Sequence, residues 1–313
     1  MSRSLPVLAS LLSLALSVPA TAAGVAFVKK SDTELEIKID GKTFGVLNHG
    51  GEWAKPFLFP LHAPNGRNVL RPIIPTAAEQ GSSKEGTDHF HHKGVWIAVD
   101  SVNAGKLNYW HEKAKIVNNS MEHVTGKSNV GILTLKNTWM DGDSDLLKEK
   151  TRVVFHPNSL VTYEITLTAV KDTTFFDTKE GFFAVRMAHS MREQDQTGTV
   201  VNADGLKTSG ECWGKPSPWI DYYGEVNGEV VGITLMDNPN NFRKSRYHVR
   251  GYGLFSISPF GPRTYSKGKE PEAPVTIKAG KSLTLKYGLY IHNGDTENGK
   301  VADMYQTYLK YSK

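Results

Sequence analysis

Along much of this chain apolar and polar side chains alternate one by one, and that period of two constrains the fold more than any other feature. Leu35, Ile37 and Ile39 alternate with Glu34, Glu36, Lys38 and Asp40. Val161, Tyr163, Ile165 and Leu167 alternate with Thr162, Glu164, Thr166 and Thr168, and Leu283, Leu285, Tyr287, Leu289 and Ile291 alternate with Thr284, Lys286 and Tyr290. Successive side chains of an extended strand point to opposite faces, so each run marks a strand with one buried face. Further strands are expected at 131–136, 151–155, 182–189, 230–236 and 253–258, with turns at His156-Pro157-Asn158-Ser159 and Ala279-Gly280-Lys281. The period changes near the C-terminus, where Val301, Met304, Tyr305, Tyr308 and Leu309 recur at three- and four-residue spacing and predict a helix. So many strands with so little helix predict an all-β chain, a large sandwich of two antiparallel sheets with one C-terminal helix. A groove across one concave sheet is then the expected ligand site.

The N-terminus reads as a secretory leader over 1–22: Arg3, an apolar run from Leu5 to Val18, then Ala20, Thr21, Ala22 and Ala23, with cleavage near Ala22. The expectation is an exported protein, periplasmic or secreted, with one β-sandwich domain over 23–313. Nothing later approaches about 18 consecutive apolar residues, so no membrane partner is expected. Cys212 is the only cysteine, which rules out an intramolecular disulfide and leaves stability to the core. Lys and Arg number 37 against 32 Asp and Glu, a formal charge of +5, with the cations scattered rather than grouped. That distribution argues against nucleic acid and is compatible with a small anionic substrate. Oligomeric state is not encoded in any pattern.

Chemistry concentrates in DHFHHKGVW, Asp88 to Trp96. Imidazoles can transfer protons, bind metal or hydrogen-bond a polar substrate, so His89, His91 and His92 are candidate catalytic groups. If 90–99 is one strand, His89, His91 and Lys93 share a face opposite Phe90, His92 and Trp96, and unless the strand bulges one set alone, expected to be the His91 side, can line a single sheet's groove. His89 and His91 could hold a divalent metal with a third ligand from Asp88, His189, Asp237 or His248. No HExxH helix and no cysteine ligand set supports a tightly bound ion, so no cofactor is expected while a divalent metal stays possible. The competing interpretation is that these histidines are solvent-facing or structurally hydrogen-bonded.

In GFFAVRMAHSM, Arg186 shares a face with Phe182, Ala184 and Ala188, whose small members leave room for a carboxylate at its guanidinium fork. A buried structural ion pair is the alternative. His189 falls on the other face with Phe183, Val185 and Met187, as a substrate contact or a core histidine. The segment 236–253 reads mostly as a loop, offering Asn238, Asn241 and Arg246 as substrate contacts and His248 with Tyr252 as an acid/base pair. Asx turns at Asn238, Pro239 and Asn241 and a solvated basic edge of Arg243, Arg246, His248 and Arg250 are the plainer alternatives. Six tryptophans, at 53, 96, 110, 139, 213 and 219, suit a core, though exposed indoles also stack on sugars; Trp96 is counted among the substrate contacts with Lys93.

Together DHFHHKGVW, NYWHE at 108–112, FFAVRMAHS, MDNPNN and YGLFSISPFG resemble a secreted bacterial family labelled "methane oxygenase PmoA-like". The resemblance covers most of the chain. Where the family pattern has Pro and Arg in the histidine run, this chain has Phe90 and Lys93. The label does not suit it, since particulate methane oxygenase subunits are multi-span membrane proteins and this chain has no spanning segment beyond its leader. The resemblance implies a galactose-mutarotase-like supersandwich and a dehydratase acting on uronate-containing oligosaccharides such as those of ulvan. Arg186 or Lys93 would then neutralise the uronate carboxylate, a clustered histidine would take the C5 proton, and Tyr252 or His248 would assist the departing hydroxide. A mutarotase or epimerase, a non-catalytic carbohydrate-binding protein and, least, a metal-dependent oxygenase are the alternatives.

Overall fold

In chain order the strands are β1 (Val25–Lys29), β2 (Glu34–Ile39), β3 (Lys42–Asn48), β4 (Phe57–Leu61), β5 (Val95–Val99), β6 (Ile116–Thr125), β7 (Gly131–Asp141), β8 (Ser144–Phe155) and β9 (Leu160–Ala169). They continue as β10 (Thr173–Phe175), β11 (Gly181–Arg186), β12 (Gly198–Asn202), β13 (Trp219–Val226), β14 (Glu229–Asp237), β15 (Arg246–Val249), β16 (Leu254–Ser258), β17 (Val275–Ile277) and β18 (Ser282–Asn293). The structure, a computed structural model, describes Met1, residues 24–76 and residues 88–312. Apart from Met1, the expected leader lies outside the described residues.

Two eight-stranded antiparallel sheets dominate, one in the order β1-β2-β3-β4-β5-β11-β16-β15 and the other β12-β13-β14-β18-β9-β8-β7-β6. A short β10-β17 pair stands apart. The alternation read from the sequence is realised on β9 and β18. Val161, Tyr163, Ile165 and Leu167 pair with Leu289, Tyr287, Leu285 and Leu283, and all but the partly buried Leu283 point into the core. Outward, the Thr166 and Thr284 hydroxyls meet at 3.0 Å and those of Thr168 and Ser282 at 2.8 Å. Each apolar side chain removed from water in this way contributes roughly 1.5–3 kcal/mol, which fixes the register: a slip by one residue would turn the whole face outward.

Rings from both sheets interdigitate, with Phe183 4.6 Å from Tyr163 and Phe255 6.1 Å from Tyr222. The sandwich with a C-terminal helix expected from the sequence is therefore the observed architecture, the helix (α3) spanning Val301–Tyr311 and burying Val301 and Tyr308. Two shorter α-helical turns, α1 (Thr208–Cys212) and α2 (Pro262–Tyr265), precede it in the chain. Among the described residues no helix is long and apolar enough to cross a membrane.

Two expected strands are shorter than their patterns. β11 ends at Arg186, and His189 opens a 3-10 turn instead of continuing the alternation. The strand expected over 90–99 exists from Val95 onward. Both departures lie at the same end of the first sheet, where β5, β11, β16 and β15 align Trp96, Ala184, Ser256 and His248 in one cross-strand row on a shared face.

Candidate functional site

Residues 88–94 coil because of a buried cation. Arg71, 2% exposed, donates to the carbonyl oxygens of Asp88 (2.6 Å), His89 (3.1 Å) and His92 (3.2 Å) and to Asp88 Oδ1 (2.9 Å). Wrapping three carbonyls around one guanidinium needs a turn, not a strand, and His92 N–H donates to His89 O at 2.9 Å. His89 and Gly94 take left-handed backbone, φ +51° and +58°. A Cβ on Gly94 would stand 2.0 Å from the Leu58 carbonyl oxygen, so glycine alone fits there. The strand parity expected for the histidines is therefore lost. His89, His91 and His92 do not divide between two faces; their ring centroids lie 4.5–5.7 Å from one another.

Four rings stack in near-parallel succession, Tyr252 on His89 (5.2 Å), His89 on His92 (4.7 Å) and His92 on Trp96 (5.3 Å). Arg186 sits 4.8 Å over Tyr252, donates to Asp88 Oδ1 at 2.7 Å and lies 3.1 Å from His92 Nδ1. A guanidinium only donates, so His92 Nδ1 accepts and the ring is neutral, in keeping with burial that lowers its pKa well below the usual value. The buried ion pair, one of two interpretations of Arg186, is the one realised.

Asp88 is the hub. Its Oδ1 receives both guanidiniums and its Oδ2 lies 2.6 Å from His89 Nδ1. Burial would raise this carboxyl, yet the His89 hydrogen bond and the Arg186 charge hold it far below the ordinary carboxylate range. A carboxylate accepting from Nδ1–H fixes the His89 tautomer and leaves Nε2 as an open proton acceptor. The His89 side chain is 41% exposed, whereas His91 and His92 are buried. Of the three, His89 is the imidazole a substrate can touch.

Beneath lies a second buried cluster. Lys93 Nζ donates to both Glu112 oxygens (2.9 and 2.8 Å) and to Phe90 O, while Lys55 Nζ donates to Glu112 Oε1 (2.7 Å) and His91 O (2.9 Å). Burial lowers Lys55 to about 8 against the pull of Glu112. Lys93, expected to bind substrate, is thus committed to an internal ion pair, and Trp96, 2% exposed, is floor under the histidines instead of a stacking surface. Among the described residues, four buried cations, Lys55, Lys93, Arg71 and Arg186, face two carboxylates, Asp88 and Glu112, a formal excess of two positive charges around the ring stack.

The other end of the surface carries two carboxylates, Asp100 and Glu180, the second ion-paired with Lys179. Asp100 and Glu180 prolong β5 and β11 side by side, Asp100 N–H donating to Glu180 O at 3.1 Å. Burial raises the Asp100 carboxyl. His248 Nδ1 lies 3.2 Å from Lys179 O and 3.7 Å from Glu180 Oε2, but at 2% exposure it cannot meet a substrate, and burial lowers it to about 4. His111 bridges the two ends, 4.6 Å from the His91 ring and within the fields of Glu180 and Asp100, its pKa lowered by burial. Among the described residues His91 Nε2 is buried without a hydrogen-bond partner, and burial with the neighbouring cations pulls this ring down to about 2. His189, half-buried at the cationic end, is lowered to about 4 by burial and Arg192.

Three expected substrate contacts lie elsewhere. Asn238 Nδ2 donates to Ser312 Oγ (2.9 Å), Asn241 Nδ2 to Asp237 Oδ1 (2.8 Å) and Lys286 O (2.9 Å), and Arg246 to Gly214 O (2.8 Å) and to Glu270. These bonds tie loops to α3 and β18, so turn-building explains the asparagines. Asp237, offered as a metal ligand, accepts from Ser245 and Asn241. Among the described residues no group of three His, Cys, Asp or Glu is placed to hold a metal ion, and the His89 and His91 rings are nearly perpendicular. Arg71, Lys55, His111, Glu112, Asp100 and Glu180 were not singled out as site residues. His111 and Glu112 lie in NYWHE, a motif that carried the signal; Arg71 and Lys55 have no local pattern to reveal them.

The chain belongs to the Family of unknown function (DUF6807), whose model matches residues 34–306. No curated protein matches it. Among solved structures, galactose 1-epimerase from Lactobacillus acidophilus NCFM is similar over 88% of this chain and 100% of its own, at 8% identity and TM-score 0.44. A GalM/aldose epimerase homologue from C. elegans matches over 87% and 100%, at 9% identity and TM-score 0.37. Heparan sulfate lyase HepC from Pedobacter heparinus matches over 88% of this chain at 11% identity and TM-score 0.37; the chain spans 36% of that lyase's length.

Proposed function

We propose that this DUF6807 member is an exported carbohydrate-active enzyme, a carbon–oxygen lyase that removes water from a uronate-bearing oligosaccharide with His89 as the base. One observation carries the reading: the accessible, Asp88-oriented His89 stands among buried cations that, among the described residues, outnumber the carboxylates beside them. Abstracting the C5 proton of a uronate places growing negative charge on its carboxylate, and a fixed cationic field lowers the cost of that charge. His89 Nε2 takes the C5 proton, the C4–O bond breaks as the C4=C5 double bond forms, and the oxygen leaves as water with a proton from Tyr252. Tyr252 suits the acid role because burial raises its pKa, so it keeps its proton at neutral pH, and because it stacks on His89. The resemblance to secreted proteins linked with ulvan-type oligosaccharides supports the same chemistry.

The test is incubation with a panel of uronate-terminated oligosaccharides, read by mass spectrometry for loss of one water and by ultraviolet absorbance of the new double bond. His89→Ala should lower turnover by on the order of 10²–10⁴, the usual contribution of a positioned base. Absence of dehydrated product across the panel, or full activity in His89→Ala, refutes the reading. Anomeric exchange with no change of mass would replace elimination by mutarotation.

A further inference from the structure

The turn joining β15 to β16 brings an exposed cation beside the Tyr252 end of the ring stack. Arg250 N–H donates to Leu254 O, and Gly253 N–H returns a bond to Arg250 O, both at 2.9 Å. Two outside groups pin the tip, Gln194 N–H (3.1 Å) and the Tyr222 hydroxyl (3.3 Å), each donating to Gly251 O. Arg250 and Tyr252 are therefore presented from one rigid hairpin, the guanidinium 5.9 Å over the Tyr252 ring. The other guanidiniums here are answered by acids: Arg71 and Arg186 share Asp88, and Arg192 holds Asp195 at 2.6 Å. Arg250 is exposed, and among the described residues no carboxylate forms an ion pair with it. At the opposite end stand Asp100, which has no ion-pair partner among the described residues, and Glu180, which is ion-paired with Lys179; the charges of Arg250 and Glu180 both reach the Tyr252 phenol.

We propose that Arg250 is the specificity-determining residue of this site, binding the substrate's carboxylate through its guanidinium fork and so turning the acidic sugar toward the Arg250 end and away from Asp100. This rests on the uronate reading given above. A fork matches a carboxylate by two parallel hydrogen bonds, which an ammonium cannot reproduce. An anion placed instead beside Asp100 meets like charge in a partly buried setting, so the bound sugar has one favoured direction.

The experiment compares wild type, Arg250→Gln and Arg250→Lys with a uronate oligosaccharide and with the same oligosaccharide after reduction of its carboxyl to an alcohol. Dissociation constants come from calorimetry and turnover from mass spectrometry; thermal melting confirms the fold of each variant. Arg250→Gln should weaken uronate binding on the order of 10- to 100-fold, leave the weak binding of the reduced sugar unchanged, and abolish most of the salt dependence of affinity. Arg250→Lys should recover part of the affinity. Uronate binding unchanged in Arg250→Gln, or both sugars weakened equally, overturns the assignment. If wild type binds uronate through Arg250 without dehydrating it, the lyase reading fails and the assignment stands. If dehydration proceeds with unaltered KM in Arg250→Gln, the assignment fails and the lyase reading stands. Wild type that binds no uronate at all overturns both.

Discussion

Glu112→Gln tests whether the site rests on a buried charge balance. Glu112 is 9% exposed in its side chain and is the carboxylate that answers Lys55 and Lys93, each 1% exposed. Removing one partner of a buried pair costs roughly 3–5 kcal/mol, because the remaining charge is left in a poorly solvating interior. Two ammoniums are left here, yet each keeps a carbonyl acceptor, Lys55 on His91 O and Lys93 on Phe90 O, so we expect a loss of about 3–5 kcal/mol, not twice that. That is a large part of a typical total of about 5–15 kcal/mol. The loss has a pH signature. Lys55 titrates near 8 when folded against an ordinary 10.5, so between those values the unfolded chain binds more protons and stability rises with pH. Without Glu112 the folded value drops further and the rise begins at lower pH, so the deficit of the variant shrinks from pH 7 to pH 9.5. Urea unfolding at both pH values measures it. Adding Lys93→Met to Glu112→Gln should restore part of the loss at pH 7 by removing one stranded charge. A Glu112→Gln protein as stable as wild type, or one whose deficit is independent of pH, refutes the reasoning.

Two further outcomes follow from the same interior. His91, His189 and His248, lowered to about 2, 4 and 4 from an ordinary 6.5, should stay neutral from pH 5 to 8, and their ring proton resonances should not titrate over that range. Because their folded values are depressed, the unfolded chain binds more protons between about 4 and 6.5, and stability should fall as pH drops through that window. Any of the three titrating near 6.5 contradicts the assigned burial. Gly94→Ala combines φ +58° with a Cβ 2.0 Å from Leu58 O and should cost more than about 1 kcal/mol by urea midpoint; wild-type stability would argue against the left-handed turn.

The sandwich was legible in the sequence because a period of two is a direct record of which face is buried. β9 and β18 show it most plainly: threonines and a Glu/Lys pair face outward while Val, Ile, Leu and Tyr face in. β11 hides it, since Gly181 to Arg186 is buried on both faces and reads as an apolar run up to Val185, and β16 is buried on both faces as well, Ser256 and Ser258 included. A strand covered on both sides loses its alternation, and its ends can be placed only by what interrupts it.

The site was legible in its residue types and not in its geometry, and one side chain accounts for most of the difference. Parity assigned His91 and His92 to opposite faces on the premise of an extended backbone, and that premise fails because Arg71, seventeen residues from Asp88 in sequence, draws the carbonyls of Asp88, His89 and His92 onto itself. A long-range hydrogen-bonding cation leaves no trace in local hydropathy. The same cation decides which histidine is available. By curling the chain it buries His92 within the stack and His91 edge-on beside it, and lifts His89 out at a positive φ, where Asp88 fixes its tautomer. The left-handed residue is then part of how the imidazole is presented, and the charges that force the turn are the charges that give the site its cationic floor.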